Sequence, residues 1–179
     1  QFYFFAHQDG DSVIVPRVSS ERRDYIPVGY LDAGTVISDS ANAAYGVEPW
    51  LLALLTSRMH MVWLRAVGGK LKTDYRYSST IVYNNFPVPL LHDEVKERLT
   101  AGALRVLDVR EYHCEKTLAE LYDPEHMPAD LRDAHAEVDA LVDGLYSRRG
   151  YETDEQRLSD LFAMYESMTA AQAANGSKK

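Results

Sequence analysis

Pro49-Trp50-Leu51-Leu52-Ala53-Leu54-Leu55-Thr56-Ser57-Arg58-Met59-His60-Met61-Val62-Trp63, continuing without glycine to Gly68-Gly69, is the stretch on which the fold of this chain turns. Glu48-Pro49 suits the first turn of a helix, where the missing N–H of proline costs nothing. Apolar side chains fall on most sides of a helix wound from this run, which predicts a helix buried at the centre of a domain. Upstream the pattern is short and β-like. Residues 2–5 and 12–18 flank Gln8-Asp9-Gly10-Asp11, whose Asp-Gly predicts a hairpin, and residues 25–30 and 35–38 flank Asp32-Ala33-Gly34. Downstream, residues 70–77 alternate, so a strand there sets Lys72, Asp74 and Arg76 on one face and Thr73, Tyr75 and Tyr77 on the other. Ile81-Val82-Tyr83 predicts one more strand.

The two prolines of Asn84-Asn85-Phe86-Pro87-Val88-Pro89 mark a domain boundary. Beyond Asp93 apolar residues recur at three- and four-residue spacings over 94–121, 128–146 and 154 to about 174, which predicts a small helical bundle. The expected class is α+β. A mixed domain over 1–89, with antiparallel strands around a buried helix, precedes a helical domain over 90–174 and a disordered tail at 175–179.

With 179 residues, 46% hydrophobic and 26% charged, the chain can bury a core without disulfides, which excludes a disordered or collagen-like protein. Its single cysteine, Cys114, expected to be partly buried, forms no internal disulfide, and a reducing cytoplasmic address is the simplest one. The longest nearly apolar stretch, 47–55, contains Glu48 and is too short to span a bilayer, so no membrane association is expected. The opening Gln1-Phe2-Tyr3-Phe4-Phe5 lacks an initiator methionine and a signal-peptide pattern, and reads as a piece of a longer protein. The net charge of −8 is unevenly divided: 1–89 carries eight basic and eight acidic residues, and 90–179 eleven and nineteen. Arg58, Arg65, Lys70, Lys72 and Arg76 cluster against Asp74 alone. Such a cluster is more often a solvated face than a phosphate footprint, and composition by itself favours the solvated face.

Catalytic constellations are missing. Asp93-Glu94-Val95-Lys96 reads as a helix start rather than a nuclease centre, and His113-Cys114-Glu115 has no helpful second histidine. The six histidines show no paired-ligand spacing, so no metal site is expected. Asn84-Asn85-Phe86-Pro87 imitates the Asn-Pro-Pro-Tyr signature of amino-group DNA methyltransferases with its prolines misplaced. With no glycine-rich loop after a strand, no cofactor is expected in this chain.

Read together, Val15-Pro16-Arg17-Val18-Ser19-Ser20-Glu21-Arg22-Arg23, Tyr25-Ile26-Pro27, Leu55-Thr56-Ser57-Arg58-Met59-His60-Met61-Val62-Trp63, and Asp74-Tyr75-Arg76-Tyr77-Ser78 leading to Tyr83-Asn84-Asn85-Phe86-Pro87 resemble the target-recognition domain of MmeI-like type II restriction-modification enzymes. The resemblance covers about residues 1–90. Leu121-Tyr122-Asp123-Pro124, Met127-Pro128 and Ala134-His135 are similar to the helical C-terminal domain of that family. The resemblance implies a non-catalytic fragment that binds a specific duplex-DNA sequence. It would present the target adenine, flipped from the helix, to an S-adenosylmethionine-dependent adenine-N6 methyltransferase domain elsewhere in the same polypeptide, which also carries a nuclease in that family.

The family's base-reading positions fall on Arg17, Asp39, Ser40, Lys72, Asp74 and Arg76. Arginine or lysine donates to guanine O6 and N7 and aspartate accepts from cytosine N4, so Arg17 with Asp39 suits one G·C pair and Lys72 with Asp74 another, with Ser40 and Arg76 between them. Ser19, Ser20, Arg22, Arg23, Arg58, His60 and Lys70 are candidate phosphate contacts, although Arg58 and His60 equally suit packing. The plain structural alternative is that Lys72–Asp74 and Arg17–Asp39 are ion pairs. The acidic helical half would repel phosphates and is expected to buttress. Trp50, Trp63 and Tyr45 suit a core rather than base stacking. A competing function is a protein-interaction module using the acidic half; salt-sensitive DNA binding separates the two.

Overall fold

The computed structural model describes residues 8–176, with side chains to 173. The strand expected at 2–5 lies outside the described residues. The chain runs β1 (Ser12–Pro16), β2 (Val18–Ser19), β3 (Gly29–Leu31), β4 (Ala41–Tyr45), α1 (Trp50–Leu55), α2 (Arg58–Val67), β5 (Gly69–Leu71), β6 (Asp74–Arg76), a π-helical turn (Ser79–Tyr83), α3 (Asp93–Tyr112), α4 (Leu118–Leu121), α5 (Ala129–Tyr146) and α6 (Asp154–Gly176). Antiparallel strands in the first half and helices in the second make the α+β class expected above.

Two small sheets share one thread of chain. β1 lies between β3 and β4, and β6 lies between β2 and β5. Val13 and Val15 alternate inward from β1 and are almost fully buried. β4 is the strand that replaces the one expected at 35–38. There the Asp32 carboxylate accepts from the Gly34 N–H and the Thr35 hydroxyl, holding a local turn. Ala41–Tyr45 has little strand propensity of its own and is extended because it pairs along all of β1.

The central helix is buried as expected but is broken into two. Thr56 ends α1, and Ser57 caps α2, its hydroxyl accepting from the His60 N–H at 3.2 Å while donating to the Leu54 carbonyl at 2.7 Å. Every residue from Leu51 to Leu55 is buried, as are Met59 through Leu64. At the end of α2 a Cβ on Gly68 would lie 2.5 Å from the Leu64 carbonyl oxygen, so only glycine lets the chain turn here. The expected strand at 81–83 is instead the π-helical turn, capped by the Ser78 hydroxyl and held by Asn85, whose amide donates to the Thr80 and Ile81 carbonyls. Asn84-Asn85-Phe86-Pro87 therefore has a structural task, with Phe86 in the core.

The helical half shares its core with the first half. Leu99, Ala103 and Val106 of α3 and Leu131, Ala134, Val138 and Val142 of α5 form helical stripes continuous with α1 in a single core. Trp63 donates to the Val82 carbonyl at 3.0 Å and packs on Phe86, and on Phe162 and Tyr165 of α6. The helix expected over 94–121 breaks after Tyr112, and Thr117 restarts the chain as α4 with a reciprocal capping box to Glu120. Cys114 lies in that break and is exposed, not partly buried. α6 runs to Gly176, into the tail expected to be disordered.

Polar groups also cross between the halves. The Asp139 carboxylate of α5 accepts from the Arg58 N–H at 2.6 Å, closing the N-terminus of α2, and from the Tyr25 hydroxyl at 2.7 Å. Burial pushes Asp139 up to about 6. Arg110 donates to the Val28 carbonyl and to Tyr122 Oη, whose own proton is thereby directed at His135 Nε2, 2.7 Å away. His135 also stacks on Tyr25 and is pushed down to about 3 by burial and by Arg110.

Candidate nucleic-acid interface

The six residues singled out for base reading come from three separate stretches of chain, and backbone pairing gathers them. Arg17 is the single residue between β1 and β2. Its N–H donates to the Ser40 carbonyl at 3.1 Å, and its carbonyl accepts from the Tyr77 N–H at 2.8 Å. Arg17 therefore stands at the joint of the two sheets, with the Asp39–Ser40 segment on one side and the end of β6 on the other. Neighbouring paired strands lie about 4.8 Å apart, so the three segments form one narrow strip.

Asp74 and Arg76 alternate with Tyr75, which is buried, and so share the outward face of β6 as expected. Lys72 does not lie on that strand. Residues 69–76 form a hairpin in which Leu71 pairs with Asp74, leaving Lys72 and Thr73 as a two-residue loop. Lys72 takes a φ of 58°, the one positive φ among the described non-glycine residues. That left-handed conformation costs a side-chain-bearing residue roughly 1–2 kcal/mol and holds the ammonium at the hairpin's tip.

The electrostatics of the strip are those of unspent charge. Arg17, Asp39, Lys72 and Arg76 are exposed and Asp74 is half-buried. Among the described residues, none of these five side chains makes a hydrogen bond or ion pair. The alternative in which Arg17–Asp39 and Lys72–Asp74 are structural ion pairs is thus not what the chain adopts. Ser40 Oγ is 2.6 Å from Ser38 Oγ.

The candidate phosphate contacts fare differently. His60 is fully buried, its Nε2 2.9 Å from Tyr77 Oη and its ring edge-on to Phe86, and burial pushes it down to about 3. A neutral core histidine cannot serve a phosphate, and its task is packing. Ser19 is also buried, at 4% exposure, because it shares the inner face of its sheet with Tyr75. Arg58 spans 3.0 Å to both Asp154 oxygens, and Arg65 reaches the same carboxylate at 3.3 Å. Asp154 consequently stays below its ordinary range despite burial, and two cations of the sequence cluster are spent tying α2 to α6. Lys70 points away from Asp74 and Arg76, with its Nζ 4.9 Å from the Tyr75 ring centre and 3.4 Å from Glu21. Arg22 is paired with Glu125, the Ser20 hydroxyl accepts from the Arg22 N–H, and the side chain of the half-buried Arg23 makes no hydrogen bond or ion pair among the described residues.

Trp63 is in the core, whereas Trp50 and Tyr45 are half-buried at the start of α1 and the end of β4. Among the described residues no cluster of histidine, cysteine, aspartate or glutamate could hold a metal ion, and no helix is long and apolar enough to cross a membrane. Sequence reading passed over two apolar residues of the strip, Val18 and Leu71, which are 41% and 52% exposed. Their pairing opposite Arg76 and Asp74 is a long-range feature that spacing along the chain does not reveal.

Residues 1–90 match the family model described as the MmeI target recognition domain, and residues 91–173 match that of the MmeI C-terminal domain. DNA methyltransferase A of Bacillus subtilis (strain 168) is 46% identical over 158 residues, covering 88% of this chain and 18% of that protein. The solved structure of the type IIL restriction-modification enzyme MmeI in complex with DNA superposes with a TM-score of 0.90 at 36% identity, over 95% of this chain and 23% of that one. This chain thus spans about a fifth of the length of these relatives. With both family models matched end to end, the chain belongs to the MmeI family, as a target recognition domain joined to its C-terminal domain.

Proposed function

We propose that this chain is the sequence-reading part of a restriction-modification DNA adenine-N6 methyltransferase, itself non-catalytic. It addresses base edges in the major groove of duplex DNA and presents the target adenine to a catalytic domain of the same parent polypeptide, which binds S-adenosylmethionine. The observation that carries the reading is the strip of charged side chains without described partners at the joint of the two sheets. Charges that bond neither each other nor the fold keep their donors and acceptors for a ligand, and the mixture of cations and carboxylates suits base edges better than phosphates alone. Arg17 with Asp39 and Lys72 with Asp74 address G·C pairs, and Ser40 with Arg76 a position between them. Arg23, Ser20 and Arg22 are the remaining candidates for the DNA backbone, Arg22 after release from Glu125. Residues 90–174 support the recognition domain at 1–89 through the shared core, with their acidic surface turned from the DNA.

The test is methylome sequencing of cells expressing the parent polypeptide as wild type and with Lys72→Glu plus Asp74→Arg. The reading expects one base pair of the N6-methyladenine motif to change while the rest persists. An unchanged motif with activity intact refutes the assignment of Lys72 and Asp74.

A further inference from the structure

The outward face of the β2–β6–β5 sheet carries more than charge. Val18 lies directly opposite Arg76, and Leu71 directly opposite Asp74. Residues paired in this way share a face. The opposite face holds Ser19 and Tyr75, at 4% and 9% exposure, so Val18 and Leu71 are turned outward with Asp74 and Arg76. On β5 the residue opposite Arg76 is Gly69, which leaves room beside the Val18–Arg76 pair. Two large apolar side chains thus stand among unpartnered charges on the face that the proposed function turns to DNA.

Resting on that reading, we propose that Val18 and Leu71 are specificity-determining residues that recognise the 5-methyl group of thymine by apolar contact. The major groove offers hydrogen-bonding groups at every base pair and one apolar feature, the thymine methyl. A side chain without polar atoms gains from that methyl. Set against a cytosine amino group or a guanine oxygen it strips water and returns no hydrogen bond, so it selects by penalty as well as by gain. Same-face rows along a strand are two residues, about 6.8 Å, apart, which matches about two base steps of about 3.4 Å. Leu71 therefore serves a thymine beside the pair addressed by Asp74, and Val18 one beside that addressed by Arg76.

The experiment uses the parent polypeptide and duplexes carrying its methylation motif, in which each thymine on either strand is replaced singly by deoxyuridine. Deoxyuridine keeps the pairing and removes only the methyl group. Wild-type binding is expected to weaken about fourfold at one or two positions, the effect of one buried methyl. Leu71→Ala is expected to erase the sensitivity at one position and Val18→Ala at another, with melting temperature and salt dependence unchanged because both residues are exposed. The inference is overturned if wild type binds every deoxyuridine duplex as it binds thymine, or if the alanine variants keep wild-type sensitivity. It is equally overturned if Leu71→Ala disrupts assembly of the parent without touching that sensitivity. Absence of salt-dependent binding to any duplex overturns the DNA reading itself, and this inference with it.

Discussion

Acidification from pH 7 to pH 5 should destabilise this fold through two histidines that never leave the core. His60 and His135 are held near 3 in the folded chain against an ordinary 6.5, by burial in both cases and by Arg110 for His135. A depressed histidine contributes its full stability above the unfolded pKa. Below it that contribution is lost, because only the unfolded chain takes up the proton. Between the two pH values each histidine gives up about 2 kcal/mol, or about 4 kcal/mol together. Asp139 works in the opposite sense. Raised to about 6 from 3.8, it protonates in the folded chain over the same interval and returns about 1.3 kcal/mol, leaving a net loss of about 2.5 kcal/mol. The assay is urea unfolding followed by the fluorescence of Trp63, which is buried at the centre of the core. A companion variant, His60→Leu with Tyr77→Phe, removes both partners of one buried hydrogen bond and should shrink the pH effect by about 2 kcal/mol. Equal stability of wild type at both pH values, or an undiminished effect in the double variant, refutes the reasoning.

Substitutions at four further positions can be checked by urea unfolding, salt titration and motif sequencing. Gly68→Ala should cost about 1–3 kcal/mol in urea unfolding, since the atom it would meet is the Leu64 backbone carbonyl, which cannot swing aside. Lys72→Gly should leave stability unchanged or raise it by up to about 1 kcal/mol by accepting the positive φ, and Lys72→Val should lower it by a similar amount. In the parent polypeptide, Arg23→Gln should reduce the slope of log K against log salt by about 1 without altering the motif. Arg76→Gln should relax the motif at one base pair, and the motif sequence and the salt titration together separate the two behaviours.

Much of this architecture is legible in the chain. The apolar run beginning at Trp50 locates the core, and the three- and four-residue spacings after Asp93 locate α3, α5 and α6, because helical faces are written in short-range periodicity. What escapes sequence reading depends on distant partners. Ala41–Tyr45 is a strand only because β1 lies beside it, and Lys72 leaves the expected strand face because Leu71 pairs with Asp74. Arg58 looks like a phosphate contact until α6 brings Asp154 within 3.0 Å, and His60 until Tyr77 and Phe86 enclose it. The break at Thr56-Ser57 was signalled by a serine able to cap, but the apolar run on both sides masked it.

The joint at Arg17 has a consequence for how such a protein changes over generations. Arg17 is held by its peptide group, and the side chains along the strip support nothing beneath them. Exposed substitutions away from caps and cores usually shift stability by only about 0.5 kcal/mol in either direction. On the proposed function, address and foldability are therefore inherited almost independently at 17, 39, 74 and 76, whose side chains a lineage can rewrite while the scaffold remains under its own, separate selection; Lys72, at its positive φ, is the exception. In a parent polypeptide whose methylating and recognising parts share one address, a single such rewrite would change both the mark and its meaning together.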